Sequence, residues 1–89
     1  MPRPTRPETS VLVRERLAKD ANDVDALFVL AAMRTQAGRV DEGLSILDRV
    51  LVIDPSYPGA WFFKEKLHRM RGEPDEAASA RVRGEAEQA

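Results

Sequence analysis

Apolar residues recur along the chain at helical spacing. Leu27, Leu30 and Ala31 fall at i, i+3 and i+4, with Arg34 at i+7, so one stripe of a helix is apolar up to its last turn. After a glycine, Leu44, Leu47, Val50 and Leu51 repeat the pattern. No stretch alternates with period two over a useful length, which predicts no sheet. The end signals agree with helices. Gly38 suits the left-handed residue just past a helix end. Asp41 and Glu42 then fall in a first helical turn, where carboxylates suit the positive end of the helix dipole. Pro55 and Pro58 bracket the exit from that helix, with Ser56 as an N-cap for the next one. Thr5-Arg6-Pro7-Glu8 reads as a capping box. The spacing predicts five helices, over 8–20, 24–37, 41–53, 58–71 and 74–86, after a flexible tail over 1–7. Connections this short make neighbouring helices antiparallel.

The pattern also repeats as a whole. Shifted by 34 residues, Ala26 meets Ala60, Phe28 meets Phe62, Gly38 meets Gly72 and Asp41 meets Asp75. Glu42 meets Glu76, Ser45 meets Ser79 and Arg49 meets Arg83, which makes seven identities over 32 aligned positions. Chance from average residue usage gives about two. The shift carried backwards pairs Leu47 with Val13, Leu51 with Leu17 and Asp54 with Asp20. The chain therefore divides into a half unit over 8–23, a full unit over 24–57 and a degenerate unit over 58–89.

The 34-residue period, the helix–turn–helix unit and the run from Gly38-Arg-Val-Asp-Glu-Gly-Leu to Asp54-Pro55 resemble the tetratricopeptide repeat. Leu27, Leu30, Gly38, Asp41, Glu42, Leu47 and Asp54-Pro55 carry the match in one unit; Trp61, Gly72, Asp75, Glu76 and Ala77 carry it in the next. The resemblance implies an all-α array of about five antiparallel helices, an α-α superhelix. It also implies a concave groove, lined by the first helix of each unit, that takes an extended peptide or a partner helix. Departures are visible. Gly43 replaces a small alanine, at a cost of about 1 kcal/mol in helix propensity. Lys64, Glu65 and His68 stand where apolar, small and aromatic residues are expected. Arg81 and Gly84 leave the last helix polar, so that it is expected to fray past Arg83.

The groove positions hold Asp25, Phe28, Val29, Ala32, Thr35 and Gln36, then Gly59, Phe62, Phe63, Lys66, Arg69 and Met70. Members of the family that clamp a chaperone tail use lysines and asparagines there. Phe28, Ala32 and Phe63 occupy those places here, so that activity is not implied. The groove is left with an apolar strip of Phe28, Val29, Ala32, Phe62 and Phe63, with Lys66 and Arg69 at its rim. An exposed apolar patch with a polar border reads as a protein contact. Ile46, Leu47, Val50, Leu51, Val52 and Ile53 cover more than one stripe of helix 41–53. Burial on two sides suits such a helix, either beneath its neighbours or in a homodimer.

Composition narrows the alternatives. At 89 residues and 9.9 kDa the chain is one small domain without cysteine, so disulfides, thiolate metal sites and a cysteine nucleophile are excluded. A globule of this size buries roughly 64% of its unfolded surface. Repeat stacking is then the expected source of stability, and arrays of this kind need about three units to stand alone. A net charge of −1 lacks the basic excess of a nucleic-acid binder. No apolar run approaches the about 20 residues of a membrane span, and none comes after the N-terminal Met-Pro-Arg-Pro, so a cytoplasmic protein is expected. Lys64, Lys66, Arg69 and Arg71 form a basic run that reads as a solvated face. His68 has no Ser–His–Asp arrangement or metal-ligand spacing around it. Asp20, Asp23 and Asp25 read as N-cap and first-turn carboxylates. The expectation is a protein–protein interaction module without catalytic activity or cofactor.

Overall fold

A computed structural model describes residues 6–88. It is all-helical: α1 spans Pro7–Lys19, α2 Val24–Gln36, α3 Val40–Ile53, α4 Ala60–Met70 and α5 Pro74–Gln88. Among the described residues there is no strand. The flexible tail expected over 1–7 and the Thr5 of the capping box fall at or beyond the edge of the described residues. The N-cap of α1 is Arg6, which makes no side-chain capping bond, and Pro7 occupies the first turn, where its missing N–H costs nothing.

Two helix ends differ from the sequence expectation. Ser56 does not cap α4. Its backbone N–H donates to Asp54 Oδ1 at 3.0 Å, as that of Asn22 does to Asp20 Oδ1 at 2.9 Å, and its hydroxyl donates to Glu87 Oε2 at 2.8 Å. The N-cap is Gly59, at φ 80°, a left-handed backbone that glycine adopts without steric cost. This places the start of α4 at Ala60, after the Pro58-Gly59 pair. At the other end α5 continues beyond Arg83 to Gln88. Its Gly84 is buried, and a Cβ there would stand 3.0 Å from Trp61 Cβ and 3.1 Å from the Phe62 ring. The glycine that weakens helix propensity is what lets α5 lie close on α4.

The repeat is present in the backbone as well as the sequence. Gly38 and Gly72 have φ 81° and 73°. Arg39 N–H donates to Arg34 O at 2.9 Å and Gly38 N–H to Thr35 O at 3.0 Å. Thirty-four residues on, Glu73 N–H donates to His68 O at 2.9 Å and Gly72 N–H to Arg69 O at 3.0 Å. Each pair is a Schellman motif closing the orphan carbonyls of a helix end.

α2 packs on α3 and α4 on α5 as antiparallel pairs, with α3 against α4 and α1 against α2 joining them. One buried cluster runs through Leu27 and Ala31 of α2, Leu44, Leu47, Val50 and Leu51 of α3, and Ala60 and Leu67 of α4. Leu27, Leu47, Leu67 and Val50 are fully buried, and each such side chain contributes about 1.5–3 kcal/mol of transfer free energy. Among the described residues no polar or charged side chain is buried. Gly43 lies close against α2: a Cβ there would collide with Thr35 Oγ1 and stand 3.2 Å from Ala31 O.

Candidate functional site

α2 and α4 meet through aromatic side chains. The Phe28 ring lies 5.6 Å from the Phe63 ring, edge to face, and 4.9 Å from the Tyr57 ring. All three are half-buried and rest on the core cluster, so one side of each ring serves packing and the other faces outward. Offset and edge-on aromatic pairs contribute about 0.5–1.5 kcal/mol beyond the area they bury. Val29 is 36% exposed, and Ala32, one turn after Phe28, is half-buried.

The expected apolar strip is therefore divided. Phe28 and Phe63 come together. Phe62, next to Phe63 but about 100° around the helix, turns to α5 and packs on Gly84. Lys66 is exposed and has no ion pair among the described residues. Arg69 is exposed but held by Glu65 at 2.8 and 3.2 Å, one turn back on α4. Of the two rim cations, Lys66 is the one without an ion pair among the described residues.

Tyr57 is the member of this face that the sequence pattern did not single out. It sits in the loop between α3 and α4, and its hydroxyl donates to Asp25 Oδ1 at 2.8 Å. Burial first, then the bond to Asp25 and the charges of Asp25 and Asp54, push its phenol up to about 12. Asp25 in turn stands 3.9 Å from Arg16 Nη2. Arg16 grips Asp23 with two bonds of 2.8 and 3.0 Å. Asp23 caps α2 by accepting from Ala26 N–H at 3.0 Å. That backbone bond, aided by Arg16, holds the Asp23 carboxyl below its usual value against the opposing effect of burial. Asp20, the third carboxylate of the cluster, ends α1 and accepts from Asn22 N–H. Asp23 and Asp25 are thus the N-cap and first-turn carboxylates of α2 that their spacing indicated, whereas Asp20 belongs to the end of α1 rather than to the start of α2.

The basic run of α4 is largely neutralised. Lys64 pairs with Asp48 at 2.8 Å, Arg71 with Asp41 at 3.3 Å and Glu73 at 3.1 Å, and His68 Nδ1 lies 2.9 Å from Glu73 Oε1. Beside them Trp61 donates from Nε1 to Pro55 O at 2.9 Å. Its ring centre lies 4.6 Å from the Arg83 guanidinium and 5.4 Å from Lys64 Nζ. Trp61, Lys64, His68 and Arg83 border a cleft of about 430 Å³ that carries both signs of charge, with Asp75 and Glu76 on its other side.

α3, the other surface suggested by the sequence, spends most of its apolar residues inside the molecule. Leu47, Val50 and Leu51 are buried and Ile46 is half-buried, while Val52 and Ile53 are exposed. Among the described residues no group of three or more His, Cys, Asp or Glu is placed to hold a metal ion, and no helix is long and apolar enough to cross a membrane. No protein-family model matches the chain, and no curated protein matches it.

Proposed function

We propose that the chain is a non-catalytic tetratricopeptide-type module that binds a partner peptide or helix across the face shared by α2 and α4. The half-exposed aromatic group of Phe28, Tyr57 and Phe63, continued by Val29 and Ala32 and bordered by the unpaired Lys66, carries this reading. Aromatic anchors inside a polar rim are the usual composition of a peptide-binding surface. The recurrence of both Schellman turns at 34 residues supports the repeat assignment. The unpaired ammonium of Lys66 favours a partner segment with an apolar anchor and a carboxylate beside it.

Phe28 and Phe63 also support the core, so the test uses residues beside them. Peptides are selected from a displayed random library on the immobilised chain, and the Val29→Glu/Lys66→Glu double variant is then compared with the parent. Selected peptides should bind the parent and lose at least about tenfold in affinity on the variant, whose helical circular dichroism should be unchanged. Equal binding to a folded variant places recognition elsewhere. Failure of the library to yield any peptide argues against the module reading.

A further inference from the structure

The aromatic face ends in opposite charges. At one end stands Asp25, in the first turn of α2, with its side chain 63% exposed. Its Oδ1 accepts from the Tyr57 hydroxyl, and its Oδ2 lies 3.9 Å from Arg16 Nη2. Arg16 is already engaged with Asp23 through two shorter bonds. The charge of Asp54 also acts on the Tyr57 phenol, and Asp54 has no ion pair among the described residues. Three carboxylates thus share one cation, and this end stays negative. At the other end Lys66 of α4 is exposed and without an ion pair among the described residues, while Arg69 is held by Glu65. Both end groups share the outward side of their helices. Asp25 and Ala32 lie seven residues, or two turns, apart on one stripe of α2, and Lys66 corresponds to Ala32 in the 34-residue repeat.

Their separation follows from the fold. α2 and α4 run parallel, as alternate members of an antiparallel array, and the Phe28 and Phe63 rings meet between them. Asp25 lies three residues before Phe28 and Lys66 three residues after Phe63. The two charges therefore stand about 9 Å apart along the helices and about 9 Å apart across them, on a diagonal of about 13 Å. An extended chain rises about 3.3 Å per residue and sets residues i, i+2 and i+4 on one side, so the ends of such a triplet span that diagonal. The contact of Phe28 with Phe63 leaves the seam a shallow track rather than a trough for a helix about 10–12 Å across.

We propose that the occupant of this face is an extended peptide segment with a basic, an apolar and an acidic residue at positions i, i+2 and i+4. The basic side chain meets Asp25, the apolar one rests on Phe28 and Phe63, and the acidic one meets Lys66. This deepens the peptide-binding reading given above and rests on it. The two charges fix the spacing of the segment, and either chain direction satisfies them.

The probe is the peptide acetyl-Gly-Lys-Ala-Leu-Ala-Glu-Gly-amide, titrated at low salt by nuclear magnetic resonance. Saturable shifts centred on Val29, Ala32 and Tyr57 should give a Kd of about 1 mM or below. Exchanging the peptide lysine for glutamine, or Asp25→Asn in the protein, should each weaken binding about threefold, and both together little further. Asp25→Asn keeps an oxygen for the Tyr57 hydroxyl, and circular dichroism establishes that each variant is folded. The peptide glutamate and Lys66→Gln should show the same coupling, whereas the crossed pairs should add. Moving the glutamate next to the leucine should remove its contribution. Additive matched pairs, or coupling in the crossed pairs, overturn the proposal. So do library-selected peptides whose basic and acidic residues lie seven or eight apart, the spacing of a helix. If the probe stays unbound to about 10 mM while library peptides of other patterns bind, this proposal fails and the module reading stands. If neither binds, both fail.

Discussion

The phenol of Tyr57 donates to Asp25 across 32 residues of sequence, at 2.8 Å. This bond ties the loop before α4 to the first turn of α2. Through Asp25 and Asp23 it continues to Arg16 on α1. The loop, α2 and α1 are thus fastened together at one end of the array, beside the aromatic face.

The raised phenol makes this bond visible in alkali. The unfolded chain loses the Tyr57 proton near 10 and the folded chain near 12. Between these values the folded state holds the extra proton, so stability falls as pH rises through the window and the full contribution is present below it. Tyr57→Phe should cost about 1 kcal/mol at neutral pH and show a shallower decline than the parent over that window in denaturant unfolding. Tyr57 is the one tyrosine, so its phenolate absorbance titrates without overlap from another. Asp25→Ala should bring that midpoint down towards 10; an unchanged midpoint contradicts the coupling.

Asp23 governs the acid side. Its carboxyl is held below the usual 3.8 by the Ala26 N–H and Arg16. The stabilisation is present above that ordinary value and is lost as pH falls through the lower folded value. Asp23→Asn keeps a capping oxygen and removes the charge. Thermal midpoints measured from neutral to acid pH should therefore fall further for the parent than for Asp23→Asn. Parallel curves would show that the Arg16 pair and the charged cap have no net weight.

Gly43 is a contact residue rather than a blemish in helix propensity. Alanine there should gain up to about 1 kcal/mol from propensity, but its Cβ meets Thr35 Oγ1 and the Ala31 carbonyl. Thr35 donates to that same carbonyl at 2.9 Å. Gly43→Ala should therefore be neutral or destabilising alone, and more favourable when combined with Thr35→Ala. A double-mutant cycle by urea unfolding should give a coupling of about 0.5 kcal/mol or more. Strict additivity would mean the helices relax apart at no cost.

The two Schellman turns offer a test of structural equivalence. A Cβ at Gly38 or Gly72 meets nothing within 4 Å, so replacement strains only the backbone. Gly38→Ala and Gly72→Ala should each cost about 1–2 kcal/mol, and by similar amounts. A large difference in chemical denaturation would show that the units tolerate strain unequally.

Helix existence was legible because Leu27, Ala31, Leu44, Leu47, Val50 and Leu51 keep a helical period and Gly38 and Gly72 punctuate it. The start of α4 was not, since Ser56 has the chemistry of an N-cap while the left-handed Gly59 takes the position. Which of two adjacent phenylalanines faces α2 depends on how α4 is rotated between α3 and α5, and no local signal sets that rotation. Tyr57 was hidden for the same reason: both its hydrogen-bond partner and its ring partner Phe28 are distant in sequence. The polar departures at Lys64 and His68 became intelligible only when Asp48 and Glu73 appeared beside them.

Trp61 packs between the carbonyl of Pro55 and the guanidinium of Arg83, and it is the one tryptophan in the chain. Its fluorescence therefore watches the docking of α5, while the Tyr57 absorbance watches the opposite junction with α2. The molecule carries two optical reporters on two different seams. Tracking both during unfolding distinguishes an array that peels from one end from one that melts as a unit, without attaching any label.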